Sequence, residues 1–377
     1  MYKIAVIGGG HRITPLVKRL LAKDGFVLKA VCDIDIDGVR ERYSDIEGVE
    51  FFTDARKMLD SDKFDGVFIG TRCSLHTEYA KLVSEYGIPL FLEKPVSINW
   101  EQLSVLEGID KSYSDKVVVS FPLRLTYIVQ CVKDIIDSGK IGKVQQVQAY
   151  NNVNYARGYY HGWYRDESET GGLFLQKSTH DLDYINYLLE GRKPVMLCAM
   201  ESKQVFKGAM PEGLYCKDCK KREECPESII NVETYNDKYP LKENAMCCFA
   251  KDTGNHDSAS ITVMYDDGMH AVYTQNFVAR KDAGRRGARL IGYLGTVEFD
   301  FNTGTVQVFY HNQNRTELHK IEKTHGHSGG DKELIDNFAN VIKGTDLSHS
   351  PLSEGILSAK MCLLSKDSAQ NFKFYKI

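Results

Sequence analysis

Two lysines and one histidine lie in or next to predicted elements that could direct their side chains to one substrate. Lys94 directly follows the apolar run 90–92, which predicts a buried strand. Its ammonium would then lie at the carboxyl edge of a parallel sheet, where such sheets bind ligands. Lys177 and His180 are three residues apart in a helix predicted to begin near Gly172, and this spacing places them on one helical face.

These three groups could together deprotonate a hydroxyl group and stabilise negative charge on its oxygen. An imidazole that titrates near neutrality can take the hydroxyl proton. Two ammonium groups, Lys94 and Lys177, would stabilise the alkoxide as it forms, and each would depress the other's pKa if they are close. The alternatives are ordinary ones: a lysine at a strand end is often solvated, and His180 is also compatible with a core position.

A glycine-rich turn over residues 8–13 (GGGHRI) follows the apolar run 4–7 and precedes a predicted helix over 15–22. This is the context that a dinucleotide-binding fingerprint requires, with glycine backbone close to a pyrophosphate and a helix N-terminus facing it. Ile13 replaces the third glycine of the motif, so the turn is a weak signal by itself. The predicted cofactor contacts of this turn are Gly8, Gly10, His11 and Arg12.

Asp33 ends the second predicted strand, at the distance from the turn where a carboxylate accepts hydrogen bonds from the adenosine ribose. The same carboxylate would repel a 2′-phosphate, and Ile34 stands where an arginine could bind one. The pattern therefore predicts NAD rather than NADP. The competing interpretation is a glycine-rich turn with a surface aspartate.

The order of predicted elements changes along the chain. The first third alternates short apolar strands with amphipathic helices, which predicts a parallel sheet with both faces covered. Residues 245–310 instead form strand after strand, which predicts a mostly antiparallel sheet. The fold class is therefore α/β, with a nucleotide-binding domain over residues 1–121 and an α+β domain with an open-faced, mostly antiparallel sheet over residues 122–377.

Composition excludes several classes of protein. A chain of 377 residues with 42% hydrophobic and 26% charged residues is typical of a folded protein of two domains. The net charge of −3 favours neither a nucleic acid nor a membrane surface as partner. Because no signal peptide and no run of roughly 20 apolar residues is found, we expect a cytoplasmic protein with a small-molecule substrate.

Five of the ten cysteines fall within residues 216–248. Thiolates at the spacing of Cys216 and Cys219 commonly coordinate one face of a tetrahedral Zn²⁺, and Cys225 and Cys247 would complete a closed, structural site. Cys248 or a water is an alternative fourth ligand. Free thiols and an iron–sulfur cluster are the competing interpretations.

The chain resembles the glucose–fructose oxidoreductase / inositol dehydrogenase / MocA (Gfo/Idh/MocA) family nearly from end to end. The matching segments are the turn at 8–12, Thr71 with His76 and Ala80, Glu93-Lys94-Pro95, residues 138–143, Gly171-Gly172, and His180-Asp181-Leu182-Asp183. The resemblance implies a Rossmann domain followed by an open-faced sheet domain, with substrate held between them. It adds Thr71, His76 and Glu93 to the predicted cofactor site.

The same resemblance implies that Lys94 and His180 line the nicotinamide. Many relatives carry an aspartate where Gln176 stands here, so a carboxylate-assisted relay is in doubt; a subgroup carries a lysine where Lys177 stands. The segment 157–165 (RGYYHGWYR) holds donors and aromatic faces that suit a polyhydroxylated ring. The predicted substrate contacts are Arg124, Arg157, Trp163, Arg165, Lys177 and His327; for the turn at His327, capping of the next helix is an equal alternative.

The sequence therefore predicts an NAD-dependent oxidoreductase acting on a secondary hydroxyl of a sugar, cyclitol or glycoside, for instance a glycoside 3-dehydrogenase. One alternative is a redox-neutral enzyme that keeps and recycles its NAD. Another is a regulator that binds the dinucleotide without catalysis. An open sheet would leave an apolar face in water, so we also expect a homo-oligomer, either a dimer or a tetramer.

Overall fold

The structure, a computed structural model, describes residues 1–109, 111–232, 244–322 and 325–377. The chain divides into two compact units. Unit 1 comprises Met1–Tyr127 and Lys323–Lys360, and unit 2 comprises Ile128–Glu322 and Met361–Ile377. The sequence prediction puts the domain boundary after residue 121 and assigns residues 323–360 to the second domain, whereas here that segment belongs to unit 1.

Unit 1 contains a six-stranded parallel sheet in the order β3-β2-β1-β4-β5-β6. The order reverses between β1 and β4, and a crevice at the carboxyl ends of these strands is where doubly wound sheets bind nucleotides. The fold predicted for the first third is confirmed. The strands are β1 (Tyr2–Ile7), β2 (Phe26–Cys32), β3 (Glu50–Phe52), β4 (Gly66–Ile69), β5 (Leu90–Leu92) and β6 (Val117–Val119).

Unit 2 contains a nine-stranded sheet in the order β14-β13-β12-β11-β7-β10-β9-β8-β15. The pair β7 and β10 is parallel, and the other pairings are antiparallel, as predicted. The strands are β7 (Val144–Asn152), β8 (Pro194–Ser202), β9 (Ser258–Tyr265), β10 (His270–Asn276), β11 (Arg285–Gly292), β12 (Gly295–Asp300), β13 (Thr305–Tyr310), β14 (Thr316–Lys320) and β15 (Tyr375–Lys376).

The helices of the described residues connect these strands. They are α1 (Thr14–Leu21), α2 (Ile36–Arg42), α3 (Ala55–Ser61), α4 (His76–Glu85), α5 (Trp100–Glu107), α6 (Lys111–Ser114), α7 (Tyr127–Asp137), α8 (Gly158–His161), α9 (Glu167–Thr170), α10 (Thr179–Leu188), α11 (Ile229–Val232), α12 (His325–Ser328), α13 (Gly330–Lys343) and α14 (Leu352–Asn371). None of the helices in the described ranges is long and apolar enough to cross a membrane.

The core of unit 1 is built from the apolar runs of its strands. All four residues of β4 and all three of β5 are buried, as expected for a parallel sheet covered on both faces. Phe68 and Phe91 of these strands pack on each other and on Phe338 of α13, with ring centroids 5.1 to 5.7 Å apart. The late helix α13 is thus part of the first hydrophobic core.

The sheet of unit 2 alternates buried and exposed side chains, which is the pattern of a sheet with one covered face. Along β10, Ala271 and Tyr273 are buried, whereas His270 and Thr274 are exposed. The helix α10 packs on the buried face, where Tyr184 lies 5.9 Å from the Phe299 ring. The sheet therefore fixes the position of the helix that carries the predicted catalytic residues.

One local difference from the prediction lies just before α10. The sequence predicts a continuous helix from near Gly172, but Phe174–Ser178 forms a π-helical turn. Lys177 belongs to this turn and His180 to the first turn of α10. A π turn adds a residue to the helical repeat, and such turns are frequent at functional sites. Regular α-helical spacing therefore does not describe the relation between these two residues.

Candidate active site

The glycine turn lies against the end of β4. Gly8 has a φ of +81°, and a Cβ placed on it would lie 2.6 Å from the Cγ2 and backbone nitrogen of Thr71. Only glycine is compatible with this contact. At Gly10, by contrast, a Cβ would meet nothing closer than 3.8 Å. The space beside Gly10 is open, which suits the close approach of a pyrophosphate to backbone, and His11 is exposed next to it.

The Asp33 carboxylate is fixed at the carboxyl end of β2. Its two oxygens accept hydrogen bonds from the backbone nitrogens of Gly9, at 2.8 Å, and Asp35, at 2.9 Å. The side chain thus ties the end of the strand to the glycine turn. Because a carboxylate oxygen accepts more than one hydrogen bond, Asp33 keeps acceptor capacity for ribose hydroxyls.

We expect Asp33→Asn to lower NAD affinity roughly 10-fold, since it replaces a charge-assisted hydrogen bond by a neutral one, and to improve relative binding of NADP. The amide keeps an oxygen for the Gly9 nitrogen, so the turn should stay in place. Fluorescence titration with both dinucleotides measures the ratio of their dissociation constants. Asp35→Asn, two residues further on, is the control; an unchanged ratio in Asp33→Asn would contradict the ribose contact.

Arg12 and Glu93, both predicted cofactor contacts, are paired with each other. Arg12 donates to Glu93 at 3.0 Å and, through both terminal nitrogens, to the carboxylate of Asp331 at 3.0 and 2.8 Å. Glu93 also accepts from the hydroxyl of Ser120 at 2.9 Å. Two carboxylates bind the charge of Arg12. These contacts support a positioning role for Arg12, which links the glycine turn to Glu93, the residue before Lys94.

His327 lies on the other side of the same cluster. Its Nδ1 is 3.0 Å from Asp331, the carboxylate that Arg12 binds. Burial alone would raise the pKa of Asp331, but hydrogen bonds from His327 and Arg12 hold it well below its usual range. A substrate contact of His327 stays a prediction, and the observed partner is a carboxylate that begins α13.

The backbone around Lys94 is held from α4. His76 is buried, with Nδ1 at 2.8 Å from the Pro95 carbonyl oxygen and Nε2 at 3.2 Å from that of Thr71. The hydroxyl of Thr77 donates to the Val96 carbonyl at 2.9 Å. Burial lowers the pKa of His76, which favours the neutral ring. A cofactor contact of His76 stays a prediction; its observed contacts position the loop that carries the half-buried Lys94.

Lys177, in unit 2, is buried against two tyrosines. Its Nζ lies 2.7 Å from the Tyr155 hydroxyl and 4.3 and 4.6 Å from the ring centroids of Tyr155 and Tyr159. Burial lowers the pKa of Lys177 well below its ordinary value, and the charge of Arg286 lowers it further, while Asp181 opposes the shift. Sequence reasoning missed both Tyr155 and Arg286.

Asp181 organises the polar interior next to Lys177. It is fully buried and accepts hydrogen bonds from both Nε and a terminal nitrogen of Arg286, at 2.8 and 3.0 Å. Tyr273 and Asn151 donate to it at 2.9 and 3.0 Å. His180 is half-buried on the same helix. The first turn of α10 thus faces a cluster of donors from β7, β10 and β11.

Three predicted substrate contacts are buried and engaged elsewhere. Arg124 donates to the His349 carbonyl at 3.1 Å, Arg157 to Glu227 at 2.9 Å, and Arg165 to Asp252 at 2.8 Å. Each guanidinium is at most 5% exposed. These contacts support structural roles.

Trp163, also a predicted substrate contact, belongs to a half-buried aromatic surface. Its ring stacks on Tyr164 at 3.9 Å, Tyr164 lies 5.2 Å from Tyr159, and Tyr159 lies 6.5 Å from Tyr155. The four rings form a continuous path that ends at Lys177. Aromatic faces of this kind suit the C–H groups of a sugar ring.

The predicted zinc site is not supported. Within the described ranges, no group of three or more His, Cys, Asp or Glu is arranged to hold a metal ion, and residues 233–243 of the predicted loop lie outside those ranges. Burial raises the pKa of Cys225 and of Cys247, so both favour the protonated thiol. Cys216 accepts a hydrogen bond from the backbone of Ile229, and Cys219 is half-buried.

Comparisons with known proteins agree with this architecture. Residues 2–121 match the oxidoreductase family model for an NAD-binding Rossmann fold, and residues 129–298 match the GFO/IDH/MocA C-terminal domain. YteT of Bacillus subtilis, which is named as an oxidoreductase, is 25% identical over 326 residues, covering 77% of this chain and 75% of its own. The myo-inositol 2-dehydrogenase of Thermotoga maritima is 22% identical over 193 residues, 50% of this chain and 54% of its own.

Among solved structures, a levoglucosan dehydrogenase in complex with NADH and levoglucosan has a similar fold, with a TM-score of 0.75 at 17% identity, covering 100% of this chain and 99% of its own. The family matches span the glycine turn and Glu93-Lys94-Pro95 in one domain and Lys177 and His180 in the other. The chain therefore belongs to the GFO/IDH/MocA oxidoreductase family and contains its NAD-binding Rossmann domain.

Proposed function

We propose that the protein catalyses NAD-dependent hydride transfer between the nicotinamide ring and a secondary hydroxyl of a sugar, cyclitol or glycoside. The observation that carries the proposal is the continuous set of contacts at the carboxyl edge of unit 1. Asp33 binds the Gly9 nitrogen, and Arg12 of the same turn binds Glu93, the residue before Lys94. The proposed ribose acceptor, the proposed phosphate-binding turn and the residue before Lys94 are thus linked by hydrogen bonds.

Two features support a polyhydroxylated substrate. The aromatic surface from Trp163 to Tyr155 in unit 2 offers ring faces to C–H groups, and hydroxyl groups at its edges can form hydrogen bonds. The family relatives named for myo-inositol and levoglucosan act on alcohols of this class.

The roles of the residues follow from the charge that moves. NAD supplies the hydride acceptor. Lys94 stabilises the oxygen as the C–O bond becomes a carbonyl, and a base on the Lys177–His180 segment accepts the hydroxyl proton. The sequence assigns this base to His180. Gln176, one helical turn before His180, is a buried amide. It therefore supplies no carboxylate to stabilise a protonated His180.

A panel of sugars, inositols and glycosides, with absorbance of the reduced nicotinamide as the readout, tests the proposal. We expect NADH formation with at least one ring substrate and none without substrate. Conversion of a glycoside without added NAD and without net NADH would favour the redox-neutral alternative. NAD binding without any conversion across the panel would contradict catalysis on this substrate class.

We further propose that the protein is a homo-oligomer. Exposed apolar side chains occur on outward positions of the second sheet, including Met200, which is 72% exposed, and Leu318, which is 56% exposed. Burying such positions against another copy would remove apolar area from water. A solution mass equal to one chain, measured by light scattering, would contradict this.

A further inference from the structure

The buried position of Lys177 is difficult to reconcile with a permanent positive charge. Its side chain is removed from water at the end of the aromatic surface, and the guanidinium of Arg286 faces it from β11. A buried cation next to a second, largely buried cation is unfavourable unless carboxylates balance both. The carboxylate that faces them is Asp181, which Arg286 already binds through two nitrogens.

Among the residues that the structure describes, the other groups found around Lys177 do not supply a second negative charge. Tyr155 and Tyr159, from the segment after β7, face it with a hydroxyl and two ring surfaces. Tyr273, from β10, donates to Asp181 and not to the lysine. The ring surfaces favour an ammonium but do not neutralise it. Burial and the charge of Arg286 lower the pKa of Lys177, so its ammonium loses a proton at a lower pH than the ammonium of an exposed lysine does.

Tyr155 is the more exposed residue of its hydrogen-bonded pair with Lys177. Its hydroxyl is 2.7 Å from the Lys177 Nζ, and the residue is half-buried whereas Lys177 is buried. The same hydroxyl lies close enough to Arg286 to interact with its charge. A substrate lying on the aromatic surface would therefore meet the phenol before the amine. A phenol between a substrate oxygen and an amine can pass a proton from one to the other.

We propose that Tyr155 and Lys177 form the acid–base pair of the reaction, with Tyr155 as the group that contacts the reacting hydroxyl. This inference rests on the proposed function. In the oxidation direction the substrate O–H bond breaks and its proton goes to the Tyr155 oxygen. The Tyr155 proton moves to the Lys177 amine, which becomes an ammonium, and the hydride leaves the carbinol carbon for NAD, so one alcohol becomes one carbonyl. In the reduction direction the ammonium returns the proton by the same route.

The pair differs from His180 as a base in its dependence on pH. The active form for oxidation is the neutral amine, so kcat/KM should fall as the pH falls through the lowered pKa of Lys177. For carbonyl reduction the protonated form is active, and the dependence is reversed. If His180 is the base, this fall of kcat/KM at low pH (the acid limb of the pH profile) should instead reflect protonation of the imidazole.

Three variants separate these assignments: Tyr155→Phe, Lys177→Met and His180→Asn. We expect Tyr155→Phe and Lys177→Met each to lower kcat roughly 100-fold or more, within the usual range for loss of a general base, with NAD affinity unchanged. The acid limb should disappear in Lys177→Met and persist in His180→Asn. Tyr187→Phe, which removes a hydroxyl hydrogen-bonded to Gln130 at the other end of α10, is the matched control and should leave kcat unchanged.

The proposal is overturned if Tyr155→Phe stays within threefold of the unmodified enzyme, or if the limb vanishes in His180→Asn and persists in Lys177→Met. Should Lys177→Met fail to fold, Tyr155→Phe decides. NMR of protein labelled with ¹³C-lysine gives a readout that is independent of turnover. The Cε resonance of Lys177 is the one that is missing from the spectrum of Lys177→Met. We expect this resonance to titrate at a lower pH than the resonances of the other lysines. Titration with the others would overturn the pair, whereas an unmodified protein that converts no sugar would contradict the proposed function instead.

Discussion

Replacement of Lys94 by Met should lower kcat for sugar oxidation about 100-fold to 1000-fold, the usual cost of removing one charge that stabilises a developing oxyanion. NAD should still bind, because the proposed cofactor contacts of the glycine turn and Asp33 do not involve this side chain. Stopped-flow measurement of a single turnover, together with fluorescence titration of NAD, separates the chemical step from binding.

The matched control for this prediction is Lys116→Met. Lys116 is an exposed lysine of the same unit, directly before β6, and its Nζ donates to the Gly87 carbonyl. Removal of this charge should change kcat by less than twofold. A Lys94→Met enzyme that keeps its turnover would exclude the ammonium from catalysis. Equal losses in both variants would point to a general effect of net charge.

Replacement of Asp181 by Ala should lower the free energy of unfolding of unit 2 by about 3–5 kcal/mol, the usual cost of leaving a buried charge without its partner. Asp181 is fully buried and carries two hydrogen bonds from Arg286 as well as those from Tyr273 and Asn151. Its loss leaves Arg286 unbalanced beside Lys177. Denaturant unfolding, followed by a probe in unit 2 because two units need not unfold together, measures the change.

Two comparisons make this prediction specific. Glu298→Ala removes a partly exposed ion pair with Arg289 and should cost no more than about 1 kcal/mol. The double variant Asp181→Asn/Arg286→Met removes both charges and should be more stable than Asp181→Ala. A loss below about 1 kcal/mol in Asp181→Ala would contradict the role of this carboxylate as the counter-charge of the cluster.

Most of the fold could be predicted from local patterns. Strands with continuous apolar runs, such as 66–69 and 90–92, coincide with β4 and β5, because burial on both faces requires such runs. The dipeptide Asp267-Gly268 is typical of a hairpin turn; it connects the antiparallel strands β9 and β10, and Gly268 has a φ of +85°. Five strands were not predicted. Four of them, β3, β6, β14 and β15, are edge strands of two to five residues, which leave little periodicity. The fifth, β8, has nine residues and lies inside the sheet.

The roles of individual charged residues were harder to predict. Arg157 and Arg165 stand in a segment rich in donors, which favours a substrate contact, yet their partners Glu227 and Asp252 lie far away in the sequence. Arg12 likewise pairs with Asp331, more than three hundred residues later. An ion pair between distant residues leaves no trace in local spacing, so only the folded chain shows which guanidinium groups are already engaged.

The sequence by itself determined the order of strands and helices, the glycine turn with Asp33, and the positions of Lys94, Lys177 and His180, because turn geometry, helix capping and apolar periodicity act between near neighbours. Tertiary structure decided the chemical state of those groups. The pKa of Lys177 depends on burial and on Arg286, which β11 brings to it, and the hydroxyl of Tyr155 reaches it from the segment after β7. Desolvation and charge act through space, so these properties arise only when distant segments pack together.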